Sequence, residues 1–422
     1  MKPTATSFDR QRIAAACYLA ITVFFTYASV FAFRKPFTVA SFTGINFWGV
    51  SYQTLLIISQ VIGYLLSKFA GIRVIAELQR MQRWKASVLL LSVAWFSLLV
   101  FALIPPPFGM ICLFVNGFAL GFLWGIVFSY VEGRKATDFI GAVLAVSFIF
   151  AGGFSRSVGK WLMTSYHVAE NWMPFATGAV FAIPLLVFYL LLERAPAPDE
   201  LDVEERTIRL PMDGNMRKQF LQRFGPGVVL VVITYLFLTI IRDIRDNYMA
   251  NMWNELGYGG NASVFTRTET MISLIVLVVI GLLVMIRNNM LAFRLIHLAI
   301  LTGFGMAGLA SLLFIAEKIA GSTWMQLTGL GLYLAYVPFN SVFFERLLAS
   351  FRVAGNVGFL IYIADAYGYT GSIAVMLGKE FFSIQLAWVP FFSKALIFFA
   401  VAGFSTTLAS LYYFHRKHRA EA

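Results

Sequence analysis

Two short stretches put arginine into otherwise apolar sequence, and they are alike. "TYASVFAFR" covers residues 26–34 and "TYLFLTIIR" covers residues 234–242, each reading Thr-Tyr, six residues, then Arg. A basic residue at the centre of a bilayer costs roughly 2.5–3.5 kcal/mol on insertion scales, so it must face a wet cavity, a partner or the headgroups. On a helix, seven residues is close to two turns, which sets Tyr27 on the face of Arg34 and Tyr235 on the face of Arg242. Arginine presents a planar, permanently charged fork that grips the oxygens of an anion in pairs. The chemistry available is therefore anion recognition, with Tyr27 and Tyr235 as hydrogen-bonding neighbours for the rest of the ligand. Two structural roles compete with it. Arg34 can snorkel to the headgroups, and Arg242 has Asp246 one turn on, within reach of an ion pair.

Other charged candidates surround this pair. Lys68 lies in "GYLLSKFAG" (63–71), where a lysine near a helix end is also ordinary topology. Arg156 and Lys160 stand one turn apart and either supply positive charge to a cavity or reach for the headgroups. Asp243 and Asp246 beside Arg242 either hold it in place or couple the site to protons. Asp365, within "NVGFLIYIADAYGYTGS" (356–372), is an intramembrane carboxylate that either pairs with an arginine or carries a proton. The glycines of that stretch suit close helix packing. His167, His297, His415 and His418 lie in loops or tails or stand alone, and Cys17 and Cys112 are far apart. With no HExxH, nucleophile elbow or P-loop, neither an enzyme nor a metal or cofactor site is expected.

The elements that must position these residues follow from composition. Of 422 residues, 59% are hydrophobic and only 13% charged, and mean hydropathy is +0.76. Apolar runs recur from end to end, predicting an all-α polytopic membrane protein with about twelve transmembrane helices. The first is expected over 13–38, which places Lys35 about 100° round the helix from Arg34 as an interfacial anchor. A charged, proline-containing stretch divides the chain into an N-terminal six-helix bundle (1–192), a cytoplasmic linker (193–224) and a C-terminal six-helix bundle (225–422). The net charge of +12 is spread over short loops rather than gathered in a patch, so topology explains it and nucleic acid is not expected. The loops "IPPPFG" (104–109) and "TSYHVAENW" (164–172) contain no lysine or arginine. Both termini and the linker are thus expected on the cytoplasmic side, in a bacterial inner (cytoplasmic) membrane.

Several of these motifs resemble one family. "FRKPF" (33–37) resembles the Arg-Lys-x-Phe element of the organophosphate:phosphate antiporters, a branch of the major facilitator superfamily that includes glycerol-3-phosphate and hexose-phosphate transporters. "GYLLSKFAG" resembles that family's Gly-x-Ser-Lys-Phe element, "NGFALGFLWG" (116–125) its glycine-rich fourth helix, and "IIRDIRDNY" (240–248) the site of its span-seven arginine. The resemblance implies the major facilitator fold, two six-helix pseudo-repeats with the substrate between them. It implies that Arg34 and Arg242 bind a phosphoryl group from opposite halves, with Lys68 contributing. The departures mark a divergent branch. "LAVSFIFAGG" (144–153) lacks the family's histidine, Asp243 and Asp246 have no counterpart, and the loop 71–86 lacks the usual Asp-Arg pair.

The expectation is a secondary active transporter moving a small organic anion, a phosphate ester or phosphonate, by alternating access in exchange for inorganic phosphate. The alternatives are a transporter-fold sensor of such an anion and a proton-coupled transporter of another solute. The expected partners are the small anionic substrate and membrane lipid, with the chain acting as a monomer.

Overall fold

In hydrocarbon a backbone must satisfy its own hydrogen bonds, and runs of Leu, Ile, Val, Phe and Ala do so as helices. The structure is a computed structural model describing residues 5–77, 80–131, 137–195, 214–353, 357–381 and 387–421. Ten of its helices are long and apolar enough to cross a membrane, and eleven if a bent pair counts as one span. The remaining expected span is the 25-residue helix Val357–Phe381, about 37 Å long at 1.5 Å per residue. The protein is a multi-pass, all-α membrane protein.

Two compact units divide the chain. The first holds Met1–Ile45 with Leu55–Thr207, and the second holds Asn46–Thr54 with Ile208–Ala422. In the first unit, α1 (Ala5–Phe31) and the 3₁₀ turn η1 (Pro36–Val39) are followed by α2 (Tyr52–Glu77), α3 (Arg80–Leu103) and α4 (Gly109–Gly121). Then come α5 (Leu123–Phe128), α6 (Thr137–Ser165) and α7 (Met173–Glu193). α1 packs on α6 and α7, and α3 packs on α4.

The second unit includes the antiparallel hairpin β1 (Asn46–Phe47) and β2 (Val50–Ser51), with Asn46 opposite Ser51. Its helices are α8 (Gly214–Asn247), α9 (Met249–Glu255), α10 (Ser263–Val284) and α11 (Asn289–Ile315). After them come α12 (Gly321–Ser341), α13 (Phe343–Ser350), α14 (Val357–Phe381) and α15 (Trp388–Glu421). α8 packs between α14 and α15, while α11 packs on α12 and α15.

Four differences from the sequence reading bear on the site. First, α1 ends at Phe31 instead of continuing to 38. Pro36 has no N–H to give the next helical carbonyl, and the chain tightens, with the Arg34 and Lys35 amides both donating to the Phe31 carbonyl at 3.0 Å. The two-turn relation between tyrosine and arginine therefore holds in α8 but not in α1. Second, Lys35, expected as an interfacial anchor, is only 5% exposed. Third, α8 begins at Gly214, inside the expected linker; the linker residues 196–213 lie outside the described residues. Fourth, the span expected at 324–345 is broken, with α12 and α13 meeting at 54° where Val342 leaves helical geometry at φ −127°.

Candidate functional site

In the first unit, the end of α1 leaves carbonyls that no further turn can satisfy. Asn116 of α4 donates to the Phe33 carbonyl at 3.0 Å, and Gln60 of α2 donates to the Arg34 carbonyl at 2.9 Å. Gln60 also donates to the Asn116 side chain at 2.8 Å, closing a buried network. α2 and α4 come close enough for this because both carry glycine where they meet. A Cβ on Gly63 would meet the Phe114 backbone, and one on Gly117 would meet the Gln60 backbone.

This network presents a cationic cluster. The Arg34 guanidinium lies 3.8 Å from the centroid of the Tyr64 ring, and the Lys68 ammonium lies 5.3 Å from the same centroid. Tyr27, buried in α1, is within hydrogen-bonding reach of the Tyr64 hydroxyl and feels the charges of Arg34 and Lys68. Each cation–ring contact is worth about 0.5–2 kcal/mol. Stacking engages the face of a guanidinium and anion recognition its edge, so the two are compatible. Arg156 plays a supporting part. It is 1% exposed, and its Nε donates to Thr38 Oγ1 at 3.0 Å, while Thr38 donates to the Lys35 carbonyl at 2.8 Å. Arg156 thus fixes the turn that follows Arg34 rather than reaching for headgroups.

In the second unit, the matching arginine is paired. Arg242 donates to Asp243, not to Asp246, which lies instead within electrostatic reach of Arg245 and Tyr333. Arg245 forms a fully buried ion pair with Glu269 at 2.8 Å. Arg242 also stacks over the Tyr336 ring of α12 at 4.2 Å. The Tyr336 and Tyr235 hydroxyls are 3.0 Å apart, and Tyr235 donates to Asp365 of α14 at 2.5 Å. α14 can reach α8 this closely because Gly368 and Gly371 face Thr239 and Leu236, so the glycines of "NVGFLIYIADAYGYTGS" do serve close approach.

The Thr, Tyr and Arg of the two repeats have like surroundings, although only α8 keeps the arginine in the same helix as its tyrosine. Thr26 and Thr234 each donate to the carbonyl four residues back, at 2.7 and 2.9 Å. Tyr27 and Tyr235 are buried at 4% and 1% exposure. Arg34 and Arg242 each stack on a tyrosine from another helix. Thus the first unit brings together Arg34, Lys68 and Tyr27, and the second brings together Arg242, Asp243, Tyr235 and Asp365. Asp246 belongs to the Arg245 neighbourhood, and Arg156 to the turn at Thr38.

Sequence reading did not single out Tyr64, Tyr336, Gln60 or Asn116. Tyr64 lies one turn before Lys68 in a stretch already marked. Gln60 and Asn116 are uncharged polar residues in apolar spans, a weaker signal than charge.

The fold has solved counterparts. Two structures of the nucleoside transporter NupG, one of them a point mutant, superpose with a TM-score of 0.60. The mutant is 13% identical and the other 14%; both cover 95% of this chain, and 100% and 99% of their own. The major facilitator superfamily proton:xylose symporter XylE, bound to 6-bromo-6-deoxy-D-glucose, superposes with a TM-score of 0.55 at 14% identity, covering 94% of this chain and 95% of its own. These likenesses show the major facilitator fold. No curated protein matches the sequence. A family profile does match, over residues 36–417, and the chain accordingly belongs to the family of unknown function DUF5690.

Proposed function

We propose that this protein is a secondary transporter carrying a small organic anion, a phosphate ester or phosphonate, by alternating access in exchange for inorganic phosphate. The observation that carries this reading is the cationic cluster of the first unit, where Arg34 and Lys68 share the Tyr64 ring among apolar helices. A phosphate monoester bears close to two negative charges at neutral pH. Taking it out of water is prohibitive unless the site returns equivalent interactions. Arg34 supplies the bidentate fork, Lys68 a second charge, and Tyr27 a hydroxyl for the ester's organic part. Arg242 of the second unit is the second guanidinium and Tyr235 its hydroxyl-bearing neighbour. Because Asp243 already occupies Arg242, an incoming phosphoryl group must take over from that carboxylate. Binding is then a change of partner at Arg242, and a carrier that crosses only when loaded is an exchanger. In this reading the chain works as a monomer in the cytoplasmic membrane, with both termini inside.

A second reading is proton-coupled transport of an uncharged polar solute. It is favoured by the second unit, where Arg242 is neutralised by Asp243 and Asp365 is bonded to Tyr235. The names of the solved counterparts, nucleoside transporter and proton:xylose symporter, point the same way.

Reconstituted liposomes separate the two. Phosphate-loaded vesicles are offered labelled phosphate esters and phosphonates; phosphate-free vesicles are offered nucleosides and pentoses under an imposed pH gradient. Wild type is run beside Arg34→Ala, Arg242→Ala and Asp365→Asn. Phosphate-driven exchange that is lost in both arginine variants while they remain folded supports the first reading. Proton-driven uptake lost in Asp365→Asn but kept in Arg34→Ala replaces it with the second. Binding of a phosphate ester without any exchange replaces transport with sensing.

A further inference from the structure

The second unit has a cavity of about 550 Å³ at one of its ends, lined by none of the residues assigned above. Its wall is built from three elements: the start of α11 (Asn288–Leu291 and Arg294), the end of α13 (Ala349 and Ser350) and His418 near the end of α15. We propose that this cavity binds a phosphate group, carried by an anionic lipid headgroup or by a free phosphate.

Several observations support that ligand chemistry. Arg294 Nε and Ser350 Oγ are both buried atoms with no hydrogen-bond partner among the described residues. Neighbouring polar groups, by contrast, are committed. Arg346 donates to Asn289 Oδ1 at 2.6 Å and to the Val284 carbonyl at 3.1 Å, which clamps the α10–α11 connection. Asn288 caps α11 by accepting from the Leu291 amide at 2.9 Å. Arg294 brings a permanent positive charge to the lining, and the His418 ring adds a hydrogen-bonding nitrogen beside it. The positive end of the α11 dipole adds to that field.

An ordered water could satisfy Ser350 and Arg294 Nε, but it would leave the charge of the guanidinium unanswered. A phosphate answers both, because it accepts from the guanidinium edge and the hydroxyl while balancing the charge. Basic pockets between membrane helices take phosphorylated headgroups in this way. Leu291, 48% exposed at the rim, offers an apolar shoulder for the chains of a lipid.

The test uses the full-length protein in detergent and has two arms. In one, native mass spectrometry counts phosphatidylglycerol retained from mixed micelles with phosphatidylcholine. In the other, the unfolding midpoint is followed as inorganic phosphate is added. The variants are Arg294→Gln, His418→Gln and, as a control on the exposed start of α10, Arg267→Gln. The expected result is that Arg294→Gln and His418→Gln lower phosphatidylglycerol retention roughly three- to tenfold, the loss of about one ordinary net hydrogen bond, while Arg267→Gln retains wild-type levels. If retention is flat but the phosphate-induced shift of wild type disappears in those two variants, the ligand is free phosphate. The proposal is overturned if neither arm responds to them, or if Arg267→Gln weakens binding equally. Because His418 lies in the last turns of α15, His418→Gln gives a folded readout even if Arg294→Gln does not.

Discussion

At the residue scale, the first unit relies on aromatic support for a guanidinium. Arg34 has left its helix, and what fixes its direction is the Tyr64 ring 3.8 Å away together with the Asn116–Gln60 network on the backbone carbonyls. Charge and shape can be separated experimentally. Arg34→Lys keeps the charge but loses the planar fork. At roughly 1.5–3 kcal/mol for a hydrogen bond to a charged group, transport is expected to fall about 10- to 100-fold. Tyr64→Phe keeps the ring face and is expected to preserve most of the rate, whereas Tyr64→Leu removes it and is expected to approach the Arg34→Lys level. Initial uptake rates in liposomes decide the matter, and equal rates for Tyr64→Leu and wild type would rule out the stacking role. The apolar lining and the tyrosine hydroxyls could be guessed from residue type. Which tyrosine supports which arginine could not, since Tyr64 and Tyr336 come from helices with no sequence relation to the repeat.

At the element scale, the helices of the second unit meet through glycine. Gly303 of α11 and Gly331 of α12 face each other, and a Cβ on either would meet the other's carbonyl oxygen. Interfaces of this kind depend on small residues because lipid provides no hydrophobic drive for association. Gly303→Ala should therefore destabilise the unit by roughly 1–3 kcal/mol, the usual penalty for overpacking. Gly305→Ala on the same helix, where a Cβ meets nothing within 4 Å, should be neutral or slightly stabilising. Chemical-denaturant midpoints in detergent would show this, and equal midpoints for the two variants would refute the glycine contact. Helix existence was legible in hydropathy; helix ends were less so. The halt of α1 at Phe31 follows from Pro36 and was open to reading, and Pro338, four residues before the break at Val342, was a mark of the same kind.

At the scale of the whole molecule, the charge pattern makes a topological statement. Lysine and arginine avoid the loop 164–172 and crowd the C-terminal tail, from which we propose that the loop lies outside and the tail inside. In a chain with Cys17 and Cys112 replaced by serine, Ala169→Cys should react with an impermeant maleimide in intact cells. Ala420→Cys should react only after permeabilisation. Both positions are exposed, so burial would not mask the result, and the reverse pattern would invert the assignment.

The sequence by itself determined that this is a multi-pass helical protein, and it singled out Arg34, Lys68, Arg242 and Asp365 as charges needing a reason. Hydropathy and charge are sums along the chain, so span length and the cost of a misplaced ion can be read without knowing neighbours. Only the tertiary structure decided that Arg242 pairs with Asp243, that Tyr235 bonds Asp365 across 130 positions, and that Arg156 serves the turn at Thr38. Those outcomes depend on which helices touch and how each is rotated about its axis. Both are settled by packing between residues far apart in the chain, a quantity no local window contains.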